Sequence, residues 1–232
     1  MAFAAVSGEG LVIARDGVVW MLRLMTKNRR ILQVLIWSAV LTLGFLLIFP
    51  TSYGLPPANG VREIALTRVL PVFLGVLAGT CTAGRGPGME DLAGPRAKRC
   101  RALVLAVVCA AQLTCLACLI AVVNLLAIDG AIEARDALVF LAGTLFFQAL
   151  CIISAYLFSG PAYWVIPMLA FFSQVAFPYR RFFEPNRWTV LLTSNPATVA
   201  MTVVLVVIAG ALALSTHPGI VTRARMHAPV LV

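Results

Sequence analysis

Hydrophobic positions in this chain come in long runs, and charged positions are gathered in clusters between them. A helix needs about 20 apolar residues to cross a bilayer's hydrocarbon core. Residues 31–49 form the first such run, ended by Pro50 and the turn-rich TSYGLPPANG. The second covers 64–83 and the third 102–127. Residues 137–179 carry no charge at all, which is length enough for two crossings. Ser159-Gly160-Pro161 divides them, because proline cannot continue a helix and glycine releases it, giving runs at 137–158 and 162–177. A sixth run, 196–215, stops at His217-Pro218-Gly219. The pattern predicts an all-α, polytopic membrane protein with six transmembrane helices.

Composition agrees. Of 232 residues, 61% are hydrophobic and 12% charged, and the mean hydropathy is +0.97. A soluble domain of this size could not hide so much apolar surface. Residues 1–12 hold Glu9 and no basic region, so the first run is expected to serve as an uncleaved signal anchor.

Lysine and arginine orient the spans. With the amino terminus inside, twelve basic residues fall on the cytoplasmic side, from Arg15 to Arg30, Arg85 to Arg101, and Arg223 and Arg225. Six fall outside: Arg62, Arg68, Arg135, Arg180, Arg181 and Arg187. The bias places both termini in the cytoplasm of a multi-pass cell-membrane protein. The net charge of +9 is thereby a topology and headgroup signal, and basic residues dispersed among spans do not suit nucleic acid. Three regions result: 1–30, 31–215 as the transmembrane domain, and 216–232 as a cytoplasmic tail.

Within residues 11–30, Arg15, Thr26, Arg30, Arg23, Asp16 and Lys27 fall within about 120° of one another at 100° per residue. Val12, Val18, Val19, Leu22 and Met25 take other faces, with Trp20 at the boundary. This predicts an interfacial amphipathic helix whose headgroup-side residues include Arg15, Trp20, Arg23 and Lys27. The alternative is a plain basic flank that only fixes topology.

The inner loop 84–101 begins rich in glycine and proline, then sets Glu90 and Asp91 at the start of a short helical turn, where acidic groups suit the amide dipoles. Met89 and Leu92 give it an apolar side, the form of a knob that enters a groove on a partner. Polar residues without charge dot the spans: Gln112 and Thr114 in the third, Gln148 and Ser154 in the fourth, Gln174 in the fifth. Buried amides in lipid face other helices, either for interhelical bonding or along a cargo path, for which Gln112, Gln148 and Gln174 are the candidates. Gly75 and Gly79 form a GxxxG suited to close helix contact, including contact between two copies of the chain. Cys115 and Cys118 form a C-x-x-C with no second pair, read as packing residues rather than a metal or redox site.

An acidic residue, a leucine, a Pro-Arg and further basic residues leading into the third span resemble the coupling loop of the ATP-binding-cassette type-2 exporter permeases. The matching positions are Glu90, Asp91, Leu92, Pro95 and Arg96. The segment 177–188, rich in aromatic residues and arginine, followed by Asn195-Pro196 at the head of the last span, resembles the family's short re-entrant outer element between helices 5 and 6. The resemblance implies a half-transporter: an ABC ATPase subunit docks on the coupling loop, a second permease chain, same or related, completes the pathway, and ATP with magnesium is bound by the partner ATPase alone. It implies export of a hydrophobic or amphipathic cargo such as a drug, peptide or lipid.

Absent motifs agree. No G-x-x-x-x-G-K-S/T phosphate loop occurs, so no ATPase or other enzyme activity is expected of this chain, and no cofactor or metal of its own. No Asp, Glu, Lys or His lies deep in a span, and no pair of similar halves is evident, which disfavours an ion-coupled carrier. A secondary carrier and a non-transporting scaffold, sensor or immunity protein stand as the competing readings.

Overall fold

The computed structural model describes residues 31–48, 52–55, 62–65, 69–82, 94–125, 134–158, 160–176, 189–190 and 195–215. Among them six α-helices follow one another: α1 (Ile31–Ile48), α2 (Leu70–Thr80), α3 (Gly94–Leu125), α4 (Ala134–Leu157), α5 (Val165–Ala176) and α6 (Pro196–Ser215). A 3₁₀ turn, Gly160–Trp164, leads into α5. The class is helical, as the runs predict. Three helices are long and apolar enough to cross a membrane, over Lys98–Val122, Ala137–Leu157 and Pro196–Leu214, while α1, α2 and α5 present shorter apolar stretches.

Two helix starts differ from the sequence reading by six residues or more: α3 begins at Gly94, within the stretch read as the inner loop 84–101 and before the expected start at 102, and α2 begins later than expected. Ile64 and Ala65, assigned to the second span, instead lie in β2 (Arg62–Ala65), paired antiparallel with β1 (Ser52–Leu55) in the register Ser52 to Ala65 and Leu55 to Arg62. Proline has no N–H to give a ladder, so Pro56-Pro57 cannot continue β1 beyond Leu55. The helix starts only at Leu70, with Pro71 in its first turn, where a missing N–H is harmless.

The buried clusters reveal how the helices run. One joins Ile31 and Val34 at the start of α1, Cys81 just past α2, Val104 and Leu105 early in α3, Ile152 and Tyr156 late in α4, and Ala213 late in α6. Another joins Leu70 and Leu74 at the start of α2 with Leu116 and Ile120 late in α3, with Leu41, Phe140 and Leu141 packed against it. Starts of α1 and α3 thus meet the ends of α2, α4 and α6, so α1 to α4 alternate in direction and α6 runs the same way as α4. Helix α4 packs against α2, α3, α5 and α6. Its span is 67% buried, against 22% for α6, which makes α4 the axis of the bundle and α6 a peripheral helix. Val199, Val203, Val204, Val207 and Ile208 of α6 are all exposed, an apolar surface that suits lipid and not water.

The GxxxG of α2 meets α4 of the same chain. A Cβ on Gly75 would lie 2.7 Å from both the carbonyl carbon and the Cβ of Phe147, and one on Gly79 would lie 2.9 Å from Tyr163 and 3.0 Å from the Cβ of Cys151. The close approach is therefore intramolecular, which corrects its reading as a contact between two copies. At the other break, the chain turns back after Gly160 so that the Ser154 hydroxyl donates to the Ala162 carbonyl at 3.1 Å. Asn195 caps α6, its Oδ1 accepting from the Thr198 amide at 2.9 Å.

Candidate functional site

Hydroxyls in this bundle mostly satisfy themselves along their own helix. Ser38 donates to the Val34 carbonyl at 2.8 Å, Thr42 to Ser38 at 2.7 Å, and Thr114, which is exposed, to Ala110 at 2.9 Å. With no water in the core of a bilayer, this back-bonding is the cheapest way to bury a hydroxyl.

The amides do something different. Gln112 of α3 donates its Nε2 to the Ser38 Oγ of α1 at 2.8 Å, and Gln148 of α4 donates its Nε2 to the Gln112 Oε1 at 2.7 Å. Ser38, Gln112 and Gln148 are 1%, 0% and 2% exposed. The chain has a fixed direction. The Ser38 proton is committed to the Val34 carbonyl, so its oxygen accepts and Gln112 must present its NH₂. Gln112 then offers its carbonyl to Gln148, which must present NH₂ in turn. The relay ends on the Gln148 Oε1, which is buried and has no hydrogen-bond partner among the described residues. Both amides sit near the middle of the spans Lys98–Val122 and Ala137–Leu157, so the relay crosses three helices at mid-depth.

Gln148 also borders a groove of about 310 Å³ between α3, α4 and α6. Ala102, Leu105 and Cys109 line it from α3, Ala149 and Ile152 from α4, and Ala209, Gly210 and Ala213 from α6, leaving Gln148 as the polar group in its wall. At the end of the groove marked by Ala102 and Ala213 lies Arg101. It is 2% exposed, its Nη2 donates to the Ala213 carbonyl at 3.4 Å, and its guanidinium stands 5.3 Å from the Tyr156 ring centroid. Ala213 carries one of the last four carbonyls of α6, which have no partner within the helix, so Arg101 caps that end and complements its dipole. Sequence reasoning counted Arg101 only as a topological charge. The available signal was its position directly before the third apolar run, a place from which the side chain can turn inward.

Of the candidate cargo-path residues, the structure thus brings Gln112 and Gln148 together. Gln174 is buried on α5, a helix that meets α4 through Ile166, Ala170 and Phe171 against Phe146, Phe147 and Leu150. Pro95 and Arg96 belong to the first turn of α3. Glu90, Asp91 and Leu92 of the coupling loop and Arg15, Trp20, Arg23 and Lys27 of the interfacial helix lie outside the described residues, as does the outer segment 177–188. Just after that segment, Thr189 and Val190 are fully buried, and Val190 packs with Phe146, Phe147 and Leu150. Cys115 is half-buried and Cys118 exposed. No group of three His, Cys, Asp or Glu residues placed to hold a metal occurs among the described residues. No protein-family profile matches the chain, and no curated protein and no solved structure matches it.

Proposed function

We propose that this chain is the transmembrane permease subunit of an exporter driven by a separate ATP-binding-cassette ATPase, of the type-2 class that its loop and outer segment resemble. In this reading α1 to α6 are six crossings with both termini in the cytoplasm of the cell membrane, and a second permease chain completes the pathway. The cargo is hydrophobic or amphipathic, a drug, peptide or lipid.

The observation that carries the reading is α3. It is one unbroken helix from Gly94 to Leu125, longer than the span Lys98–Val122 within it. At 1.5 Å per residue, a hydrogen-bonded rod of about 27 Å joins Gly94, within the 84–101 segment, to Gln112. A push on Glu90, Asp91 and Leu92 by a closing ATPase is delivered along that rod to the relay at mid-depth. The apolar, lipid-suited faces of α6 and the peripheral α1, with Leu32, Ile36 and Trp37 exposed, agree with a membrane setting.

The test has two parts. Extraction in mild detergent should bring down a stoichiometric nucleotide-binding subunit, and vanadate should stop transport. Replacing Glu90, Asp91 and Leu92 together with Gly or Ser should then uncouple ATP hydrolysis from transport while insertion is unaffected. Reproducible absence of the subunit, or transport that survives vanadate and stops on collapse of ion gradients, would sink the proposal.

A further inference from the structure

Among the described residues one charged side chain is buried, Arg101, and delivery of a push along α3 to Gln112 does not need it. An arginine at the edge of a span ordinarily reaches outward to headgroups and water. This one turns inward and joins α3 to the Ala213 carbonyl of α6 and the Tyr156 ring of α4. We propose that Arg101 is a coupling residue, which carries displacement of α3 sideways to the carboxyl-terminal end of α6 while sliding on the ring face of Tyr156. The proposal rests on the exporter reading, in which α3 is driven from its Gly94 end, and it names the route by which that drive leaves α3.

Position comes first. Arg101 is about 10 Å along the rod from Gly94, whereas Gln112 is about 27 Å along it, so a moving α3 engages α6 before mid-depth. Apolar contact transmits little between these two helices. The groove separates Ala102, Leu105 and Cys109 of α3 from Gly210 and Leu214 of α6, and nothing lies within 4 Å of where a Cβ on Gly210 would be. A gap of about 0.5–1 Å already loses roughly a quarter to a half of a dispersion contact. The Arg101 side chain bridges the two helices at the end of that groove, its Nη2 donating to the Ala213 carbonyl at 3.4 Å. Of the three long spans α6 is the least buried, at 22%, so a small shift exchanges lipid for lipid along most of its surface.

The two contacts of the guanidinium differ in stiffness. A hydrogen bond is directional and weakens steeply off its axis. Attraction to a ring face acts out to about 6 Å from the centroid and tolerates sliding. The guanidinium stands 5.3 Å from the Tyr156 centroid. When α3 moves, contact with α4 therefore persists, and the Ala213 carbonyl must either follow or be lost. Following is favoured, because a buried charge that loses a hydrogen-bond partner is strongly destabilising. A plain cap would hold α6 still. Arg101 is mounted on the driven helix, so it holds α6 to a moving part.

The experiment uses the complex of the chain with its ATPase subunit in phospholipid nanodiscs. Ketone-linked nitroxides replace exposed leucines, so the native cysteines stay as they are. Leu138 and Leu103 report α3 against α4, and Leu138 and Leu214 report α6 against α4. Distances are measured by double electron–electron resonance, without nucleotide and after trapping with ATP, magnesium and vanadate. In the native chain both pairs are expected to shift by about 2 Å on trapping. In Arg101→Met the α3 pair keeps its shift and the α6 pair loses it. Arg101→Lys restores only part of the α6 shift, and Tyr156→Phe, which keeps the ring face, retains it in full. Gly75→Ala is destabilised at a contact that does not involve α6 and retains both shifts, which separates coupling from loss of stability. An α6 pair that stays still in the native chain while the α3 pair moves overturns the proposal. So does an α6 pair that moves as far in Arg101→Met as in the native chain, or one lost equally in Gly75→Ala. If Arg101→Met does not assemble, an undiminished α6 shift in Arg101→Lys has the same force. If no ATPase subunit copurifies, or the α3 pair ignores trapping, the exporter reading itself fails and the coupling role falls with it.

Discussion

Adding one methyl group at Gly75 is the sharpest probe of this packing. The new Cβ would lie 2.7 Å from two carbons of Phe147 and 2.9 Å from its carbonyl oxygen. Carbon atoms in ordinary contact are about 3.5–4.0 Å apart, so α2 and α4 must separate by about 1 Å. The obstacle is largely backbone, on the helix that packs against α2, α3, α5 and α6, so it cannot swing away. Overpacking of this kind costs about 1–3 kcal/mol and occasionally more, while alanine recovers up to about 1 kcal/mol of helix propensity. A net loss of about 2 kcal/mol is expected for Gly75→Ala, which for a chain of this size lowers Tm by about 4–8 °C. Gly79→Ala should cost less, because its nearest neighbour is the edge of the Tyr163 ring, which can tilt. Gly44→Ala and Gly210→Ala meet open space and should be neutral or slightly stabilising. The measurement is thermal unfolding in detergent of the four variants side by side, with oligomeric state followed by light scattering. A Gly75→Ala chain as stable as the native one, or one that changed oligomeric state at unchanged stability, would refute intramolecular packing of this motif.

The relay predicts an asymmetry between its two amides. Gln112→Leu strands both ends of Gln148 and should cost about 1–2 kcal/mol, whereas Gln148→Leu exchanges one orphaned carbonyl for another and should cost less. The double variant, read with the singles as a thermodynamic cycle by chemical or thermal unfolding, should show a coupling of about 0.5–1.5 kcal/mol; strict additivity would mean the bond contributes nothing. Arg101→Met keeps an unbranched apolar stem but loses both the cap on α6 and the stack on Tyr156, and should lower stability by about 1–3 kcal/mol. Arg101→Lys should recover only part of this, because a point charge cannot reproduce the planar guanidinium. Full recovery by lysine in the same unfolding assay would reduce Arg101 to a simple charge.

Chain chemistry alone determined a great deal here. Runs such as 137–158 and 196–215 have one favourable destination, an apolar solvent, and there a backbone must close its own hydrogen bonds as helix. The bounds of α4 and α6 and the break at Gly160 follow from that, since proline and glycine act within a few residues of themselves. Asn195 as a cap is legible for the same reason. The hairpin was hidden because strand pairing depends on partners distant along the chain, Tyr53 for Ile64 and Ser52 for Ala65, and Ile64-Ala65 read equally well as the edge of a helix.

What only the tertiary structure decided is which faces meet. GxxxG announces a close approach but carries no address, and the address proved to be Phe147 of the same chain. Gln112 and Gln148 are 36 residues apart and become partners only because α3 and α4 lie side by side. Arg101 looks the same in sequence whether it reaches for headgroups or folds onto Tyr156 and Ala213. Local chemistry fixes solvent and helix. Pairing across the bundle is set by shape complementarity among residues distant in sequence, and that information exists only once the helices have packed.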